Sequence, residues 1–216
     1  MRIAPVTIDP LPGAQSGSLT LINEAKSPMD VQVRVFQWSQ TNGQDTLTPT
    51  QAVVASPPMT TLAPGEQYLV RVVRANKAPV KKEESYRVVV DEIARPGYVQ
   101  SGQVQLVLRQ SIPVFFSSTP RLAWKIDWQL KRTATGYDLV ARNQGTHRVR
   151  FSEVTLTDQN GKVLYAHPGL AGYVLADSEM RWAIGSPGPV SAGSAVKLTA
   201  QSDAGPVDVS ITPSGV

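Results

Sequence analysis

The chain has 216 residues, 41% of them hydrophobic, a formal net charge of +4 and no cysteine. That is enough for two domains of about 100 residues each, and no stretch approaches the roughly 20 consecutive apolar residues of a membrane-spanning helix, so no membrane insertion is expected. Without Cys there are no disulfides, thiolate nucleophiles or Cys-based zinc sites. The basic side chains are scattered singly, with Lys81-Lys82 and His147 to Arg150 as partial clusters only, which argues against a nucleic-acid-binding stripe.

Met1 leads directly into the strand-like RIAPVTI with no apolar leader, so the sequence reads either as cytosolic or as a mature form. Helical patterning is hard to find, whereas Val, Thr, Ile and Leu alternate with polar residues between turn signals about every ten positions. The first half predicts strands at Arg2–Asp9, Ser18–Asn23, Asp30–Gln40, Gln51–Ala55, Gln67–Arg74, Ser85–Ile93 and Gln103–Phe116. Turn chemistry separates them at Pro12-Gly13, Asn42-Gly43, Ser56-Pro57-Pro58, Pro64-Gly65 and Pro96-Gly97. Such a set over about 115 residues fits an immunoglobulin-like sandwich, and other sandwiches as well.

The last of these segments is unusual. From Gly102 to Phe116, GQVQLVLRQSIPVFF, the side chains of Val104, Leu106 and Leu108 recur with period two. At about 3.3 Å per residue the stretch would extend for roughly 40 Å, twice a usual strand. On pattern alone the three residues fit packing within their own sheet as well as donation to another protein. An unpartnered strand carrying them is an aggregation hazard, so self-association of the free chain, or a cover over the edge, is expected.

Ser117-Ser118-Thr119-Pro120 reads as a hinge, placing one domain at 1–118 and a second at 119–216. Beyond it, strands are predicted at Trp124–Leu130, Tyr137–Asn143, Val149–Thr157, Lys162–Tyr165, Tyr173–Leu175, Glu179–Ile184, Ala195–Gln201 and Val207–Thr212. Their separators include Asn160-Gly161, Pro168-Gly169 and Pro187-Gly188. The reading is all-β, two sandwiches in tandem.

No catalytic constellation stands out. His147 and His167 have no carboxylate at metal-ligand spacing. Asp91 and Glu92 are adjacent on a strand and so point to opposite faces. There is no GxSxG elbow, and Gly13 to Gly17 lacks the Lys of a phosphate loop. The chain reads as a binding protein rather than an enzyme, with no metal or cofactor.

Several motifs in order carry a resemblance. SLTLINEAKSPMDVQVRVFQWSQ (Ser18–Gln40), SPP (Ser56–Pro58), LAPGEQYLVRVVR (Leu62–Arg74), ESYRVVVDEI (Glu84–Ile93) and SIPVFF (Ser111–Phe116) resemble the first domain of PapD-like periplasmic pilus chaperones. The wording VQVRVFQWSQ, SYRVVVDE and SIPVF is similar to the archaic, Csu-type branch. Trp124 to Trp128, Asn143 to Gly145, Gly172 to Leu175 and Arg181-Trp182 resemble that branch's second domain.

The resemblance implies two immunoglobulin-like domains in a boomerang. It also implies a periplasmic, non-enzymatic chaperone that binds incomplete pilus subunits by strand addition and delivers them to an outer-membrane usher. Val104, Leu106 and Leu108 fall on the positions of the donated side chains. The family's basic pair for the subunit carboxylate falls on Thr7 and Pro113, so that grip is absent. The resemblance moves it to Arg87, with Arg34 and then Arg2 as weaker helpers. Glu92 matches a carboxylate between the domains whose usual basic partner is replaced by Ser117, with Arg121 as a substitute. Tyr98 extends the donor surface or is a plain loop residue, and Trp38, Trp124, Trp128 and Trp182 are packing residues. Two rival readings are a two-domain adhesion module that binds through loops and a sandwich hydrolase, for which no converging catalytic pair is present.

Overall fold

In the computed structural model residues 1–94, 106–120, 124–185 and 194–214 are described, and they form strands and no helix. The chain makes two compact units, Met1–Trp38 with Leu47–Pro120, and Ser39–Thr46 with Arg121–Val216.

The first unit holds β1 (Arg2–Ala4), β2 (Ser16–Ile22), most of β3 (Met29–Thr41), half of β4 (Gln44–Pro49), β5 (Val53–Ser56), β6 (Met59–Leu62), β7 (Gln67–Arg74), β8 (Glu84–Ile93) and β9 (Arg109–Phe116). One sheet runs β1-β2-β7-β5, the other β4-β3-β8-β9, with β6 paired to β3. Period-two alternation builds the core between them. Leu19, Leu21, Val70 and Val72 face Val31, Val33, Tyr86, Val88, Val90, Ile112, Val114 and Phe116, all buried.

Two predicted strands are shorter than the alternation suggested. Arg2–Asp9 is split: Arg2–Ala4 pairs with β2, and after Pro5, which has no N–H to donate, the chain crosses to the other sheet. There the Ile8 N–H donates to the Pro113 carbonyl at 2.9 Å, and the Phe115 N–H donates to the Ile8 carbonyl at 3.0 Å. Gly17 permits this crossing, since a Cβ there would meet Ile8 Cγ2 at 2.4 Å.

The predicted strand from Gln103 begins only at Arg109 among the described residues. The cause lies in its neighbour. The registered ladder between β8 and β9 ends at Asp91 opposite Arg109, and β8 continues only two residues further, to Ile93. One further bond, from the Glu92 N–H to the Leu108 carbonyl at 2.9 Å, marks the limit.

The second unit pairs a β10-β11-β14 sheet with a β13-β12-β15-β16 sheet: β10 (Ile126–Thr133), β11 (Gly136–Asn143), β12 (Val149–Thr157), β13 (Val163–Val174), β14 (Glu179–Ala183), β15 (Val196–Ser202) and β16 (Gly205–Ile211). Its core gathers Leu130, Leu139, Phe151, Leu156, Val174, Leu198 and Ile211. The turn expected at Pro168-Gly169 is instead a bulge within the continuous β13. Opposite it on β12, Glu153 adopts φ 51°, and its carboxylate accepts the Gly169 N–H at 2.7 Å. Residues 39–46 join this unit through Gln40, whose amide donates to the Tyr173 carbonyl at 2.7 Å and accepts the Leu175 N–H at 2.9 Å. Gly43, at φ 76°, lies so close to Arg181 that a Cβ would meet the arginine's Cβ at 2.6 Å.

Each unit closes one sandwich end with a buried asparagine. Asn23 Nδ2 lies within hydrogen-bond distance of the Ser27, Leu62 and Ala63 carbonyls at 2.9, 3.0 and 3.1 Å. Asn143 Nδ2 reaches the His147, Val174 and Leu175 carbonyls at 2.7, 3.1 and 3.0 Å. The Oδ1 atoms accept from Ala25 and Gly145, so all four oxygens and nitrogens are satisfied out of water.

Candidate functional site

β9 is the edge of its sheet, and Ile8 covers that edge at Pro113–Phe115. Among the described residues no strand pairs with the outer edge of Arg109–Ile112. Immediately before it stand three consecutive exposed aliphatic residues, Leu106 at 82%, Val107 at 48% and Leu108 at 48% relative exposure. Leu106 and Leu108 share the parity of Ile112, Val114 and Phe116, yet lie outside the core those three enter. Val104 and Tyr98 lie outside the described residues.

The opposite face of β8 and β9 carries the cationic candidate. Arg87 sits directly across from Pro113 on β9 and from Phe36 on β3. Its guanidinium lies 3.7 Å from the centroid of the Trp38 ring, which in turn contacts Phe115 at 5.8 Å between centroids. Such a cation–π contact favours the charged group, and the guanidinium brings a planar fork of N–H donors suited to a carboxylate. Because Ile8 bridges Val114, Thr7 falls beside Pro113. Thr7, Pro113 and Arg87 thus occupy neighbouring strands in one transverse row, so a charge at Arg87 stands one strand away from Pro113.

The helper positions are engaged elsewhere. Arg34 Nη2 bonds Asp91 Oδ2 at 2.6 Å, and Arg109 Nε bonds the other oxygen of the same carboxylate. Burial opposes the Asp91 charge, but the bonds from Arg109 and then Arg34 outweigh it and hold the carboxyl below the usual range. Arg2 pairs with Glu24 at 2.8 Å at the surface. Glu92 is half-buried across from Val31, with its backbone N–H on Leu108. Arg121 lies outside the described residues, and the Ser117 hydroxyl donates to the Thr119 carbonyl at 3.2 Å.

A second network was not foreseen from the sequence. Arg74, at the end of β7, bonds both Glu84 oxygens at 2.8 Å, and the Tyr86 hydroxyl adds a third bond at 3.0 Å. The bond from Arg74 holds the Glu84 carboxyl low against the cost of burial. Burial foremost pushes the Tyr86 hydroxyl up. The only sequence sign was a charged residue ending an otherwise apolar-alternating strand. Of the two histidines, His147 sits beside the Asn143 plug and His167 contacts Tyr165. No group of three His, Asp or Glu side chains among the described residues is arranged to hold a metal, and no described helix is long and apolar enough to cross a membrane.

By fold the chain is a two-domain, all-β immunoglobulin-like protein, with exposed aliphatic residues running into a sheet edge and an arginine–tryptophan contact on the face behind it. Residues 1–120 match the family model described as "pili and flagellar-assembly chaperone, PapD N-terminal domain", and the chain belongs to that family. Comparison with curated protein sequences finds no match. Among solved structures, the chain is similar to one from the CsuC–CsuE chaperone–tip adhesion subunit pre-assembly complex of the archaic chaperone-usher Csu pili of Acinetobacter baumannii. There the TM-score is 0.75 and the identity 22%, over 99% of each chain. It is similar to the E. coli chaperone DraB with TM-score 0.61 and 23% identity over 96% of each chain. With the Salmonella enterica complex of SafA pilin and SafB chaperone the values are 0.63 and 16%, over 97% of this chain and 95% of that one. At these identities the likeness speaks for the fold.

Proposed function

We propose that this chain is a periplasmic chaperone of the archaic chaperone-usher branch. It receives incomplete immunoglobulin-like pilus subunits by strand addition and delivers them to an outer-membrane usher, without enzymatic chemistry. The observation that carries the reading is the exposed run Leu106, Val107 and Leu108 leading into the uncovered edge of β9. A subunit whose sandwich lacks its last strand has an open apolar groove. The edge backbone supplies the ladder bonds, and Leu106 and Leu108, with Val104 before them, fill the groove with every second side chain. Burial of such side chains is worth about 25 cal/mol per Å² of apolar surface.

In this reading the residues to 118 form the subunit-binding domain and those from 119 the second. Arg87 grips the subunit's terminal carboxylate, supported by its contact with the Trp38 ring and its place across from Pro113. Arg34 is left to Asp91 rather than to the subunit. Subunit, usher and compartment rest on family membership and the motifs of the archaic branch.

The test is co-purification from periplasm with the native chain, identifying the small β-rich protein that travels with it. The same experiment is repeated with Leu106→Lys and Leu108→Lys combined. Loss of the partner with unchanged thermal unfolding is expected. Retention of the partner by the charged variant refutes strand donation.

A further inference from the structure

The chain needs a fixed point where a strand leaves its own sheet for another protein, and the polar cluster at the β8–β9 border has the geometry of one. Asp91 and Arg109 form the last registered pair of the ladder. The bond from Glu92 N–H to the Leu108 carbonyl makes the neighbouring pair a hydrogen-bonded one, so by alternation Asp91 and Arg109 are a pair without backbone bonds, in which side chains approach most closely. The Asp91 carboxylate is 14% exposed and divided between two strands, taking Arg34 from β3 on one oxygen at 2.6 Å and Arg109 from β9 on the other. Arg34 also lies 5.6 Å over the Phe36 ring, which steadies it. The next residues toward the chain start, Leu108, Val107 and Leu106, are exposed and outside any strand.

From this we propose that Asp91 is a positioning residue that clamps the first residue of β9 and so sets where, and in which register, the Leu106–Leu108 segment leaves the domain. The inference rests on the strand-donation reading above. A one-residue slip of β9 would turn Leu106 and Leu108 to the wrong face, and the cross-strand clamp opposes that slip at the position nearest the exposed segment. Arg34 serves as the brace that keeps the carboxylate aimed at Arg109.

The experiment compares the native chain with Asp91→Ala and Asp91→Asn by backbone hydrogen exchange of the free protein, then by capture of the pilus subunit recovered with the native chain. Exchange at the Glu92 amide, the donor to Leu108, should accelerate about fivefold in Asp91→Ala, as loss of a charge network worth about 1 kcal/mol predicts. Exchange at Val88 and Val90 should not change, and subunit capture should fall. Asp91→Asn, which keeps one acceptor oxygen, should show a smaller change in both. Native exchange at Glu92, or faster exchange with full capture, overturns the inference, and equal acceleration at Val88 reduces Asp91 to general stability. Leu108→Lys separates the two proposals: it should abolish capture with Glu92 exchange unchanged, and capture surviving it defeats strand donation itself.

Discussion

Truncating Leu106 and Leu108 together to Ala measures the donated surface directly. Each change deletes three carbon groups, each worth about 0.8 kcal/mol when moved from water to an apolar site. Scaled by the exposed fractions of 82% and 48%, the groove would lose about 2 kcal/mol at Leu106 and about 1 kcal/mol at Leu108. Together that is about 3 kcal/mol, a weakening of roughly 150-fold. The chain's own stability should move by no more than about 0.5 kcal/mol, because neither side chain enters the core. The affinity is read by competition: native chain displaces variant from the subunit complex, and the bound fractions are quantified by intact-mass spectrometry. Stability is read by denaturant unfolding of the free variant. The reasoning is refuted if the double variant loses the roughly 2–5 kcal/mol per site typical of a buried leucine while subunit affinity stays native.

Three further outcomes follow from the same structure. Arg87→Lys keeps the charge but loses the fork and the guanidinium contact with the Trp38 ring; capture of the subunit should drop nearly as far as in Arg87→Ala, and a lysine variant with native capture would remove the bidentate carboxylate role. Asn143→Ala strips one donor group from the three carbonyls of His147, Val174 and Leu175 and should cost about 2–3 kcal/mol in thermal unfolding. Asn143→Asp should do no better, since a carboxylate cannot donate. Glu84, held low chiefly by its bond from Arg74, contributes stability that is present above the ordinary glutamate range and lost as pH falls through its depressed folded value. Denaturant midpoints of the native chain should therefore decline in acid, and Glu84→Gln, less stable at neutral pH, should show a shallower decline. Parallel acid curves for the two would place the titration elsewhere.

Much of the site lay open to reading because strand patterns are local. Tyr86, Val88 and Val90 on β8 and Ile112, Val114 and Phe116 on β9 recur with period two and are buried in the first core, although Val89 and Phe115 between them are buried on the other face as well. Gln67–Arg74 and Val149–Thr157 coincide with β7 and β12 end to end. β4, exposed along its whole length, and β6, with Leu62 alone buried, escaped notice because neither presents an alternating face. The clamp on Asp91 was equally hidden. Arg34, Asp91 and Arg109 are separated by 57 and 18 positions, and nothing local to any of them signals the other two.

The overlong alternating stretch ending at Phe116 was the chain's plainest statement, and the folded structure divided it. By itself the sequence determined an all-β chain, most of the inward-facing residues and the apolar character of Leu106 to Leu108, because period-two burial follows from backbone geometry residue by residue. Where that stretch stops being part of its own sheet was decided by pairing alone. β8 ends at Ile93 and the registered ladder at Arg109; just before it the Leu108 carbonyl keeps one bond to Glu92, while the side chains of Leu106 and Leu108 are exposed. The same holds for Ser39–Thr46, which join the second unit through bonds from Gln40 to residues more than 130 positions away. Pairing partners and hydrogen bonds across such separations are set by the whole fold, so only the tertiary structure could supply them.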